Sequence, residues 1–136
     1  MPAPLNARLA AALACATLLC GHGTALAGDV IAHPSVSLAA ADVRDVYLGE
    51  MQLAGSLRLV PVDNAAAQGE FVAAILQTNQ RSYQARWRRK TFREGLHAPP
   101  LKDNDAEVLS FVRATPGAIG YVSGKAGPGV VVLDRY

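Results

Sequence analysis

Apolar and polar positions follow two rhythms along this chain. Short runs of branched apolar residues mark strands, apolar residues recurring at i, i+3 and i+4 mark helices, and Gly, Pro, Asn and Asp mark the joints. Asp29–Ala32 (DVIA) reads as a strand, ended by His33-Pro34-Ser35 because proline removes a ladder donor and forces extended geometry before it. A helix is predicted over Ala39–Leu48, with Val43, Val46 and Tyr47 on one face, Asp42 and Asp45 away from it, and Gly49 at its end. Its cap is either Ser37, by chemistry, or Ala39, by its distance from Asp42. Leu57–Val62 is a second strand with Pro61 as a defect near its end. Asp63-Asn64 is a turn or cap pair, and Ala66–Gln77 a helix with Phe71, Val72, Ile75 and Leu76 on one face.

Asn79 suits the cap of a further helix over Gln80–Phe92, in which Tyr83 and Trp87 share a face. Gly95–Lys102 (GLHAPPLK) reads as a loop. Asn104 with Glu107 three residues on resembles a capping box for a helix that stops at Thr115-Pro116-Gly117. Ala118–Val122 (AIGYV) is a strand whose internal glycine signals close backbone approach, and Val130–Leu133 (VVVL) is the last strand, near enough to the previous one for a hairpin. The order β-α-β-α-α-α-β-β specifies an α/β layer fold, a mixed sheet with helices packed on its faces.

Leu57–Leu76 is the stretch of most chemical interest. A strand that empties into a helix N-terminus leaves backbone N–H groups without intrahelical partners, and with the helix dipole behind them they form a ready anion site. The residues placed there are Asp63, Asn64, Ala66, Ala67 and Gln68, with Ser35 or Ser37 nearby if the first strand lies beside the second.

The start of the chain changes the domain arithmetic. Arg8 lies in a short n-region, Leu9–Leu19 (LAAALACATLL) is an apolar run, and Ala25-Leu26-Ala27 fits a small-x-small cleavage pattern. Residues 1–27 therefore read as a signal peptide, with Gly28 as the first mature residue and 28–136 as a single domain. The run is too short to span a bilayer, and no transmembrane segment is expected after cleavage. Cys20 follows Leu19, a poor context for lipidation, and both Cys15 and Cys20 leave with the leader. The mature chain then holds no thiol, although its destination, periplasmic or secreted, permits disulfides. The formal charge of +2 loses Arg8 and falls to +1, which gives no electrostatic case for a nucleic-acid partner.

Three blocks then resemble one family. Leu38–Gly49 (LAAADVRDVYLG) is similar to the L-x-x-x-x-L-x-x-I-F-x-G helix of periplasmic phosphate-binding proteins of ABC transporters. Val60–Leu76 lies where that family has its phosphate loop and helix, and Thr115–Val122 (TPGAIGYV) resembles its late P-G-A-I-G-Y-V segment. The resemblance implies a short, single-lobe relative of the type II periplasmic binding fold. It further implies a solute-binding protein for phosphate or a similar oxyanion, with an ABC transporter or another envelope protein as partner, and no enzyme activity or cofactor. The family loop carries an arginine and a D-G-S-G-T run, whereas Pro61–Gln68 (PVDNAAAQ) has alanines in place of the hydroxyls and glycines, and no arginine. Losing one guanidinium and two hydroxyls removes about 5 kcal/mol, or three to four decades of affinity, so weak anion binding is expected.

The remaining signals are few. Arg86, Arg88, Arg89, Lys90 and Arg93 form the one strong charge cluster. At 100° per residue Arg86, Arg89, Lys90 and Arg93 fall on an arc away from Tyr83 and Trp87, read as a solvated face or as a surface for a polyanion or an acidic partner. That surface, or an exposed sheet edge, supports an alternative: an interaction protein without a ligand site. His33 and His97 lack metal-ligand spacing, and no serine sits in a G-x-S-x-G elbow. Expressed with its leader in a Gram-negative host, the chain is expected in the periplasmic extract with Gly28 at its N-terminus, as read by intact mass. A retained leader or a lipidated cysteine would refute that processing.

Overall fold

The computed structural model describes residues 26–136; the bulk of the expected signal peptide, with Arg8, Cys15 and Cys20, lies outside the described residues. The chain is mixed α/β. It runs β1 (Asp29–Ala32), α1 (Asp42–Tyr47), β2 (Leu53–Ala54), β3 (Leu57–Arg58), β4 (Val60–Pro61), β5 (Asp63–Asn64) and α2 (Gln68–Ala74). It continues with α3 (Gln80–Glu94), β6 (Leu101–Lys102), α4 (Asp105–Ala114), β7 (Ala118–Val122) and β8 (Val131–Arg135).

The main sheet has the order β4-β7-β1-β8, and its two central strands, β7 and β1, are buried throughout. A strand buried on both faces should be apolar at every position, as these nearly are, because successive side chains point to opposite layers. Ile31, Ala118 and Val122 join Val108 and Val112 of α4 in one core. Val30, Ala32, Ile119 and Tyr121 join α1, α2 and α3 in the larger core on the other face. The result is helices on both sides of one sheet.

Two predicted features differ. The hairpin of the last two strands does not form: β1 lies between them, antiparallel to both. Ser123–Val130 therefore crosses past β1 to reach its other side. The predicted strand Leu57–Val62 is two pieces, and the expected turn pair Asp63-Asn64 is a strand of its own. Leu57–Arg58 folds back on Leu53–Ala54, Val60–Pro61 runs parallel to β7, and Asp63–Asn64 runs parallel to β6. Pro61 explains part of this. The N–H groups of Val60 and Val62 bond to the Gly117 and Ile119 carbonyls at 2.9 Å each, so the proline nitrogen between them faces away from β7 at the sheet edge. From Asp63 the chain turns to new partners, its N–H bonding to the Pro100 carbonyl at 2.8 Å. Lys102 of the predicted loop thereby becomes part of a strand.

The helix caps hold with shifts. Asn79 accepts from the Ser82 N–H at 2.9 Å, and Gly95 closes α3 in the left-handed region at φ 68°. Asn104 accepts from the Glu107 N–H, and Glu107 reaches back to the Asp103 N–H, each at 3.0 Å. α1 starts later than expected, at Asp42 after a turn through Ala39–Ala41, and neither Ser37 nor Ala39 caps it.

Gly120 is the close approach that its place inside a strand signalled. A Cβ there would lie 2.6 Å from Val108 Cγ1 and 3.1 Å from Val112 Cγ2, both rigid β-branched groups on α4. Gly120→Ala is expected to destabilise by about 1–3 kcal/mol through overpacking, seen as a lower urea midpoint at unchanged slope. Gly124→Ala, with nothing within 4 Å, should leave the midpoint in place.

Candidate functional site

The turn between β5 and α2 is assembled by hydrogen bonds that the sequence does not announce. Asp63 is 3% exposed and Asn64 fully buried. The Tyr83 hydroxyl donates to Asp63 Oδ2 and the Tyr121 hydroxyl to Asp63 Oδ1, each at 2.8 Å. Tyr83 comes from α3 and Tyr121 from β7, so one carboxylate joins three elements. Burial pushes the Asp63 carboxyl up to about 6; the bonds from Tyr121 and Tyr83 offset only part of that rise. Burial first, then the adjacent carboxylate, raises both phenols far above the ordinary tyrosine range.

Asn64 is equally committed. Its Nδ2 donates to the Tyr121 carbonyl at 2.9 Å and to Asp105 Oδ1 at 2.7 Å, while its Oδ1 accepts from the Ala66 N–H at 3.0 Å. It caps a two-residue turn, whereas α2 begins only at Gln68, behind Ala67, which makes no side-chain cap. Asp105 also accepts from the Ser123 N–H and hydroxyl. Burial acts to raise its carboxyl, but these donors outweigh it and hold Asp105 below the usual range.

This decides what the turn has left to offer an anion. The Ala65 N–H bonds to the Lys102 carbonyl, the Ala66 N–H to Asn64 Oδ1, and the Ala67 N–H to the Asn64 carbonyl. The structure brings Asp63, Asn64, Ala66, Ala67 and Gln68 together, yet the Ala66 and Ala67 N–H groups and the Asn64 amide are bonded within the chain. Ser35 and Ser37 do not join them. β7 lies between β1 and β4, and Ser35 Oγ accepts from the Gly117 N–H at 3.1 Å, at the opposite end of β7 from Tyr121. Ser37 is exposed on the segment leading to α1.

Ser35 makes one contact that the sequence does not signal: its Oγ lies 2.7 Å from His33 Nδ1. The same nitrogen accepts the Ser35 N–H at 3.0 Å, so the hydroxyl is the donor in a turn around Pro34. Among the described residues no carboxylate hydrogen-bonds to the other ring nitrogen. Nor do the described residues include a cluster of three or more metal-ligating side chains or a helix long and apolar enough to cross a membrane.

Beside Asp63 lies an open groove of about 560 Å3 between α3 and the segment Ala98–Leu101. Asp63, Gln68 and Tyr83 form its polar end, and Trp87, Phe92, Pro99 and Leu101 its apolar walls. Phe92 is 91% exposed and Leu101 56%. A recess of about 620 Å3 near Ser123–Ala126 is bounded partly by Leu26 and Ala27, which the expected cleavage would remove. Of the free sheet edges, β8 is the longer and carries exposed Val132.

The basic cluster divides. Arg86 Nη2 bonds Glu50 Oε1 at 2.6 Å, and Lys90 Nζ lies 3.3 Å from the same oxygen and from Glu94 Oε2. Lys90 foremost, with Arg86, holds the Glu50 carboxyl below its ordinary value. Arg86 and Lys90 therefore fasten α3 to the α1–β2 turn, correcting the expectation of one solvated arc. Arg88, Arg89 and Arg93 remain exposed, and Arg88 lines the groove. Sequence reasoning missed the Tyr83–Asp63–Tyr121 bridge and the Phe92 wall. The signal for the first was an aspartate directly after the apolar run Leu59–Val62; for the second, a phenylalanine off the Tyr83–Trp87 face. Compared with models of known protein families and with curated proteins, the chain matches none.

Asp63 gives a pH prediction. Its folded pKa, about 6, exceeds its unfolded value near 3.8. Protonation therefore stabilises the fold, fully below about 3.8, and that contribution is lost as pH rises through about 6. Asp63→Asn removes the titration. Urea melts of both chains should show the variant gaining on the parent by about 2–2.5 kcal/mol between pH 4 and 7. A pH-independent difference would contradict the burial of this charge.

Proposed function

We propose that this chain is an exported, non-catalytic binding protein built on the plan of the phosphate-binding lobe, which recognises a partner through the groove beside α3 and not an oxyanion at the α2 turn. The single observation behind this reading is the internal use of the turn. The donors of Ala65, Ala66 and Ala67 bond to oxygens of the chain itself, and the adjacent Asp63 is a buried carboxylate without an ion-paired cation among the described residues. Phosphate at pH 7 carries between one and two negative charges, so a bare carboxylate at the turn repels it. The resemblance in Thr115–Val122 and Leu38–Gly49 supports the lobe, and the arrangement of helices on both sheet faces is consistent with it.

The absence of a catalytic role has its own support. Tyr83 and Tyr121 are held far from ionisation by burial and by the carboxylate they serve, so neither acts as a base or nucleophile near neutral pH. Among the described residues the Ser35–His33 pair has no orienting third group, and its serine is shared with the Gly117 N–H.

Thermal unfolding tests the reading. In tens of millimolar phosphate, the melting temperature should equal that in sulfate and in sodium chloride of matched ionic strength. A ligand present at 100 times its Kd stabilises by about 2.7 kcal/mol. A phosphate-specific rise that saturates would return the α2 turn to service as an oxyanion site and overturn the proposal.

A further inference from the structure

We infer that the groove beside α3 receives an acidic segment of a partner protein that carries an apolar anchor, with Arg88 meeting its carboxylates and Phe92 and Leu101 gripping the anchor. This rests on the reading above that the groove is the recognition surface, and adds the chemistry of what it recognises.

Helix geometry sorts α3 into three strips. Tyr83 and Trp87 face the core. On one flank Arg86 and Lys90 are neutralised by Glu50 and Glu94. On the other flank Arg81, Gln84, Arg88 and Phe92 follow at near-helical spacing, and three of these line the groove. Neither Arg81 nor Arg88 forms an ion pair among the described residues. The groove's own carboxylate, Asp63, is buried behind Tyr83 and spends both oxygens on phenols. Arg88 is thus the accessible charge among the groove's described lining residues, and its complement is an anion.

The anchor follows from the walls. Phe92 is 91% exposed at the end of a well-capped helix, opposite Leu101 at 56%. An exposed aromatic beside an arginine is the combination that dominates protein interfaces when water is excluded around it. A polyanion alone would leave Phe92 wet, and an apolar ligand alone would leave the guanidinium of Arg88 without a partner at the contact. The groove is open along one side, unlike the enclosed pockets that hold small molecules. A peptide segment satisfies both the charge and the apolar wall.

The test uses the chain as purified from the cell envelope and a synthetic peptide with a central phenylalanine–leucine pair flanked on each side by glutamates. Trp87 is the sole tryptophan and lines the groove, so its fluorescence reports occupancy. Binding is expected to saturate, with affinity falling about tenfold in Phe92→Ser and in Arg88→Glu. In Arg93→Glu, on the solvent face, it should fall less than twofold. Both contact residues are exposed, and circular dichroism should find both variants folded. Equal binding by a glutamate–serine peptide without the anchor, or by heparin, would replace the proposal with a bare polyanion surface. Binding by a lysine-flanked peptide of the same core would make the arginines irrelevant. No binding by the acidic peptide overturns the inference and leaves the phosphate result, read separately, to judge the reading beneath it.

Discussion

One ionised group governs this structure: the carboxylate of Asp63, buried without a counter-cation among the described residues and held between two phenols. Taking a carboxylate out of water costs several kcal/mol even after relaxation. Two charge-assisted hydrogen bonds contribute about 1.5–3 kcal/mol each. They offset much of the cost but not all of it, and the raised pKa is the remainder. The geometry that supplies them is demanding. Tyr121 must come from the middle of the sheet with its ring stacked on Phe71, centroids 3.8 Å apart. Tyr83 must come from the first turn of α3, whose start is fixed by the Asn79 cap. The β5 strand must leave the main sheet immediately after Val62 to present the carboxylate to both. Asn64 extends the same joint by tying the Tyr121 carbonyl and Asp105 to the α2 turn.

That joint also explains why resemblance and chemistry part company at the α2 turn. The blocks that resemble phosphate-binding proteins imply a loop whose backbone donors and aspartate face a ligand. Here the donors of Ala65, Ala66 and Ala67 are taken up by the chain. Alanine at Ala65, Ala66 and Ala67 supplies no side-chain donor, and the backbone donors go to Lys102, Asn64 Oδ1 and the Asn64 carbonyl. Each N–H needs only an acceptor, not a particular one, and in this turn the chain supplies it.

What the sequence disclosed follows the range of the forces involved. Local signals were legible. The Asn79 and Asn104 caps, the DVIA and AIGYV strands, and the close approach at Gly120 depend on a few neighbouring residues, and they stand where the pattern placed them. Partnerships across the fold were not. Adjacency in sequence suggested that Ala118–Val122 and Val130–Leu133 pair with each other, yet each found β1. The run Leu57–Val62 carried one strand's worth of apolar residues, but two partners divide it. The site was legible as a stretch and opaque as a mechanism. Asp63 was visible, but its partners lie 20 and 58 residues away, and nothing in a hydroxyl's position along the chain says which carboxylate it will meet.

The basic helix shows how such partnerships separate residues of one type. A cluster of cations on a helix is ordinarily a solvated face. On α3 the cluster is shared between two tasks. Arg86 also donates to the Leu48 carbonyl at 3.3 Å and Lys90 to the Gly49 carbonyl at 3.3 Å, so both serve the C-terminal end of α1, where cations complement the helix dipole and its free carbonyls. Trp87, between them, donates to the Tyr47 carbonyl at 3.0 Å. These residues account for why α3 is basic on that side. They do not account for Arg81 and Arg88, which lie across the helix from Glu50, nor for a phenylalanine left almost wholly in water one turn beyond Arg88. The fold gains nothing from that arrangement, since an exposed aromatic costs solubility and unpaired arginines add self-repulsion. Side chains that the fold employs and side chains that it leaves aside thus occupy opposite flanks of a single helix, and the flank left aside is the one that borders the groove.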